Sequence, residues 1–165
     1  MADRQTKASV IGIGNLLMTD EGFGIHVIRF LEKKYSFPSN VQLVDCGTAG
    51  IYMAPVFEQT DVAFLVDAAA IDGYPPGTVI KLDYKGMTGR QIQTSMSPHQ
   101  VGVLEVLEIC KLRGNIPSCI EFYLVIPKNI DPGLELSSEV RSRVTEVAKR
   151  IVKRLREEGF DVRDA

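Results

Sequence analysis

Apolar positions along the chain follow two rhythms, one of short unbroken runs and one of helical recurrence. Residues 10–13 form a short apolar run that predicts a buried strand. Ile25, Val27, Ile28, Phe30 and Leu31 then recur at helical spacing until Pro38 ends the pattern. Residues 41–44 predict a second strand ending at Asp45. After the turn at 46–50, a helix is expected through Ile51, Met53, Val56 and Phe57. A third strand, 62–66, ends at Asp67, and the loop 72–77 is rich in Gly and Pro before 78–82 resumes as a strand. The stretch 83–96 has no decisive period.

Ser97, Pro98, His99 and Gln100 form a capping box with proline at the first helical position. They lead into a helix through Val103, Leu104, Val106, Leu107, Cys110 and Leu112. Residues 120–126 predict the last strand. Ser137 is placed as the cap of a long helix with Val140, Val144, Val147, Ala148, Ile151, Val152 and Leu155 on one face, closed by Gly159. Strands alternate with helices, and two strands carry runs of Val, Ile, Leu and Phe, as strands buried on both faces do. The fold class that follows is α/β, three-layered, with a twisted, mainly parallel five-stranded sheet and helices on both faces. One domain over residues 1–165 is expected, with an ordered core of about 8–158 and short polar termini. No internal repeat or low-complexity stretch interrupts it.

Composition narrows the partners. With 165 residues and 45% hydrophobic content, the chain can bury a real core. Its 19 Lys and Arg stand against 21 Asp and Glu, so there is no positive field to hold a phosphate backbone, and nucleic acid is not an expected partner. No stretch approaches a membrane span or a signal sequence. The three cysteines, Cys46, Cys110 and Cys119, are odd in number and lack CxxC spacing, which argues against a disulfide framework or a structural zinc and for a reducing cytoplasm.

The candidate chemistry lies where strands end. Gly12, Ile13, Gly14 and Asn15, followed by Asp20, Glu21, Gly22, Phe23 and Gly24, form a glycine-lined turn between the first strand and its helix, with two adjacent acids in it. In open α/β sheets, sites form beyond the carboxyl ends of strands, and Glu21, Asp45 and Asp67 follow the first three strands. His99 joins them if its helix starts at the same edge, where the helix dipole favours a neutral ring able to bind metal. Two carboxylates and an imidazole suit nickel, zinc or iron and do not discriminate among them. His26 lies beside an apolar stripe and is expected on the outer face of its helix.

Other chemistries fit less well. A dinucleotide fingerprint would need glycine where Leu17 stands. There is no G-x-S-x-G elbow for a serine hydrolase. The Asp45-Cys46-Gly47-Thr48 loop suggests an aspartic protease, but no second copy supplies the paired carboxylate. A Cys46 and His99 pair has nothing local to activate the thiol. The basic face of the last helix (Lys149, Arg150, Lys153, Arg154 and Arg156) reads as a solvated surface, with docking of an acidic partner as the alternative.

Taken together, the first glycine and acid block, Asp45-Cys46-Gly47-Thr48, Val66-Asp67-Ala68 and Ser97-Pro98-His99-Gln100 resemble the hydrogenase maturation endopeptidases in order and spacing, from about Ala8 to the last helix. The resemblance implies a protease that removes a C-terminal extension from the large-subunit precursor of a nickel-iron hydrogenase after nickel insertion. Glu21, Asp67 and His99 match the family's metal-binding positions and Asp45 an acid beside the cleft, so the catalytic set is Glu21, Asp45, Asp67 and His99. The nickel is implied to come with the substrate, with no permanent cofactor. A cytoplasmic monomer is expected. Cys46 departs from the glycine common after the aspartate in this turn, which bears on which extension fits. The competing class is a non-enzymatic protein that delivers or senses nickel through the same residues.

Overall fold

The computed structural model describes residues 5–86 and 98–165, without the side chains of 98–101. In chain order its elements are β1 (Ala8–Ile13), α1 (Phe23–Lys34), β2 (Tyr35–Ser36), β3 (Val41–Gly47), α2 (Ala54–Glu58), β4 (Val62–Ala68), β5 (Val79–Asp83), α3 (Pro98–Leu112), β6 (Cys119–Val125), α4 (Ser138–Glu157) and β7 (Arg163–Asp164). Five strands form one sheet in the order β3-β1-β4-β6-β5. The pairings β3 with β1, β1 with β4 and β4 with β6 are parallel, whereas β5 returns antiparallel against β6.

Successive side chains of a strand point to opposite faces, and here each set finds its own layer of helices. Val10, Phe64, Val66, Tyr123 and Val125 pack with Phe23, Val27 and Leu31 of α1 and with Val140, Val147 and Ile151 of α4. Ile11, Ile13, Leu65, Phe122 and Leu124 pack on the other face with Met53, Phe57 of α2, and Val103, Val106 and Leu107 of α3. The α/β sheet with helices on both faces is therefore present. Both sides of the central strands are covered, which explains their unbroken apolar runs.

The helix expected through Ile51 is in fact a tight 3-10 turn, Gly50–Met53, followed by the short α2. Met53, Val56 and Phe57 pack into the core as expected, and Ile51 faces solvent. The chain end behaves differently from a polar tail: Phe160 and Val162 are buried, and β7 pairs antiparallel with β2. Among the described residues, no helix is long and apolar enough to cross a membrane.

Two glycines set how closely α1 can approach the sheet. A Cβ on Gly24 would lie 2.3 Å from the carbonyl oxygens of both Ile13 and Val66, so only glycine lets the first turn of α1 rest on β1 and β4. Gly14, at φ 144°, has the carbonyl oxygen of Glu21 where a Cβ would be. The turn between β1 and α1 closes on itself because these side chains are missing.

Candidate active site

The three parallel neighbours β3, β1 and β4 end at one edge of the sheet. Asp45 lies opposite Gly12 near the end of β3, and Asp67 is the next to last residue of β4, on the other side of β1. Glu21 follows β1 on a 3-10 turn, Thr19–Gly22, that packs against β4. The three acids predicted from strand ends thus reach the same edge. Because α3 hands over to β6 at the opposite edge and is about 22 Å long, its first turn, with His99, stands toward the acids. The side chain of His99 lies outside the described residues.

Their environments differ. Asp67 is buried, only 4% exposed, and its Oδ1 accepts the Ala68 N–H at 2.7 Å. Asp45 is exposed and accepts the Gly47 N–H at 3.0 Å, closing the turn in which Gly47 takes the left-handed φ of 54°. Glu21 is half-buried, and its carbonyl accepts the Asn15 N–H at 3.0 Å. Both Asp45 and Asp67 bear on the Cys46 thiol: burial first, then these two carboxylates, push it up to about 11. Cys46 is therefore a neutral thiol at neutral pH, in the core layer that holds Met53 and Phe57. It fills core space beside the acids. Among the described residues, no group of three or more His, Cys, Asp and Glu side chains is gathered closely enough to hold a metal ion.

The neighbour of Glu21 has a task that the sequence pattern did not separate from it. Asp20 is fully buried, and its carboxylate is saturated by the distant loop 126–137. Oδ2 accepts the Lys128 N–H at 2.8 Å, the Asn129 N–H at 3.0 Å and the Ser137 hydroxyl at 2.8 Å, while Oδ1 accepts the Ser137 N–H at 2.7 Å. Thr19, the one non-glycine residue at positive φ among the described residues, adds its N–H to the Gly133 carbonyl and its hydroxyl to the Asn129 carbonyl. The turn carrying Glu21 is thus clamped to a loop more than a hundred residues away. Ser137 holds the cap position of α4, but its hydroxyl turns to Asp20 instead of capping the helix. The signal available in sequence was the pair of adjacent acids, since in so tight a turn one of two neighbours must face inward.

His26 also departs from expectation. It is half-buried where α1 meets the loop 126–137 and α4, with its Nε2 buried and without a partner among the described residues. Burial lowers its basicity, Arg29 and Arg141 add to this, and Glu135 opposes it.

A protein-family model described as hydrogenase maturation protease matches residues 25–154, a span that holds Asp45, Asp67 and His99 and begins after Glu21. The chain belongs to this family. It is 30% identical over 152 residues to the hydrogenase 2 maturation protease of Escherichia coli, covering 92% of each chain. It is also 30% identical over 162 residues to the hydrogenase expression/formation protein HupD of Rhodobacter capsulatus, covering 98% of this chain and 77% of that one. Among solved structures, the hydrogenase maturating endopeptidase HybD from E. coli superposes with a TM-score of 0.87 at 28% identity, over 96% of this chain and 98% of HybD. A hydrogenase maturation protease is a hydrolase of peptide bonds, which makes the acid-lined edge the place to look for its chemistry.

Proposed function

We propose that this protease removes the C-terminal extension from the large-subunit precursor of a nickel-iron hydrogenase once nickel has been inserted, and that it recognises the nickel through Glu21, Asp67 and His99. The observation that carries the proposal is the arrival of Glu21, Asp45 and Asp67 at one edge of the sheet, in a chain of this family. Oxygen and imidazole ligands compete poorly with thiolates for nickel, so such a set can register the metal in the substrate without extracting it. The metal belongs to the substrate, and no resident cofactor is proposed.

Held near the scissile bond, substrate nickel polarises the carbonyl and supports an attacking water, while a neighbouring carboxylate takes the proton. Asp45, exposed beside the buried Asp67, has the solvent access such a proton acceptor needs. The test is the intact mass of a large-subunit precursor incubated with the protein, with and without nickel loading. Cleavage of the loaded precursor alone is expected. Glu21→Gln, Asp67→Asn and His99→Ala should each reduce processing by at least about tenfold at unchanged melting temperature. A loaded cognate precursor left intact by the wild type would overturn the proposal in favour of a nickel-binding accessory role.

A further inference from the structure

The loops that leave the carboxyl ends of β1, β3, β4 and β6 all open on the edge where the acids stand, and most of the exposed large apolar side chains stand there too. Leu17 (65% exposed), Ile51, Tyr52 (78%), Tyr74, Ile130 and Leu134 (67%) lie on these four loops. Elsewhere among the described residues, only Ile109 and Leu112, on the far half of α3, are comparably bare. Single exposed apolar residues are ordinary, but a set drawn from four separate loops around one site is not explained by one helix stripe or one misplaced side chain.

Part of this rim is held rigid. Gly133 donates its N–H to the Leu17 carbonyl at 2.9 Å, and Thr19 donates to the Gly133 carbonyl at 2.8 Å, which fixes Leu17 and Leu134 on adjoining backbone. A Cβ on Gly133 would lie 2.8 Å from the Thr19 methyl, so the two loops approach as closely as they can. The same clamp holds the Asn129 carbonyl next to Ile130. Leu17, which breaks the dinucleotide fingerprint, thereby acquires a role of its own.

Charge selects the occupant. The acids of this edge are Glu21, Asp45, Asp67, Asp72, Asp131 and Glu135, of which Glu135 is paired with Arg141 of α4 at 2.7 Å, against a single cation among the described residues of these loops, Lys128, which is paired with Glu139 at 2.5 Å. Seven of the 19 Lys and Arg lie instead on α4. An anionic membrane or a nucleic acid would be repelled here, whereas a polypeptide with interspersed apolar and basic side chains would satisfy both features.

We infer that the rim built from Leu17, Leu134 and Ile130 on one flank and Ile51 and Tyr52 on the other is the docking surface for an apolar, basic segment of the protein substrate, held over the acid site. The inference rests on the proposed function in taking that substrate to be a hydrogenase large-subunit precursor. Preformed apolar contact supplies affinity, and the surrounding acids speed encounter and select against acidic segments.

The test compares the wild type with the double variants Leu17→Ser/Leu134→Ser and Asp72→Lys/Asp131→Lys. None of these residues is in the catalytic set, and all are exposed. Binding of nickel-loaded precursor is read by biolayer interferometry at low and high salt, alongside steady-state cleavage. The leucine pair should raise Kd and KM about tenfold while kcat stays within about twofold, and the aspartate pair should weaken binding and flatten its salt dependence. Cleavage with unchanged Kd and KM in both variants would overturn the docking surface and leave the function standing. Binding that depends on the rim without any cleavage would support the surface and overturn the function. A wild type that neither binds nor cuts the precursor overturns both.

Discussion

The Cys46 thiol lies beside two carboxylates of the candidate site, Asp45 and Asp67. In sequence it stands between an aspartate and a glycine in a turn, with nothing local to activate it; in the fold, burial first and then Asp45 and Asp67 push its thiol up to about 11. A thiol raised from 9.0 to about 11 has about a hundredfold less thiolate at neutral pH than an unperturbed one. Alkylation of Cys46 by iodoacetamide at pH 7.5 should therefore be at least about a hundredfold slower than that of free cysteine, as read by peptide mass mapping of the native protein. Cys46→Ser should keep precursor cleavage within about threefold, and its loss would restore a nucleophilic role to this residue. The acids themselves were readable in the sequence, because a residue that ends a parallel strand can only stand at the carboxyl edge. What Cys46 does was not, because it depends on burial by α2 and α3.

The turn between β1 and α1 and the loop between β6 and α4 act as one element. Asp20, itself fully buried, supplies four part-buried acceptor contacts across that junction. Removing the carboxylate leaves the Lys128, Asn129 and Ser137 amides and the Ser137 hydroxyl without it. Because an unsatisfied buried donor costs about 1–3 kcal/mol, Asp20→Ala should destabilise the protein by about 3 kcal/mol or more in urea unfolding. Hydrogen exchange at residues 128, 129 and 137 should accelerate beyond the global change, and Asp20→Asn, which keeps one acceptor oxygen, should fall between. Unchanged exchange at those three amides would mean that the junction is held by other contacts. In the sequence, Ser137 reads as a cap and Asp20 as half of an acid pair. Their bond to each other is long-range, and no local period reports it.

Across the whole molecule, charge is arranged as well as counted. Glu121, buried in β6, joins three elements: it accepts from Tyr123 at 2.9 Å and from Arg154 of α4 at 2.9 Å, and it pairs with Lys81 of β5 at 3.2 Å. The basic helix face is thus not wholly solvated, since Arg154 turns inward to this carboxylate. Burial alone would raise the Glu121 pKa, but hydrogen bonds from Tyr123, Arg154 and Lys81 carry it below the ordinary glutamate value of 4.5. A carboxylate depressed in the folded state contributes stability that is complete above its unfolded value and is lost as pH falls through the lower folded one. Thermal stability should therefore decline as pH drops below about 4.5, and Glu121→Gln should lower the melting temperature at pH 7 while flattening that decline. An unchanged pH profile in the variant would assign acid sensitivity to other groups.

By itself the sequence determined the class of sheet, the alternation of strands with helices, and the three acids at the ends of neighbouring strands. These follow from periods of 2 and 3.6 and from breaker residues, all local in the chain. Only the tertiary structure decided which of Asp20 and Glu21 turns inward, that His26 lies half-buried against the loop 126–137, that β5 runs antiparallel, and that the last residues return to pair with β2. Each of those outcomes is a bond or a burial between segments far apart in sequence. Such pairings are settled by which partner fills the space and satisfies the donor, and no residue carries that information alone.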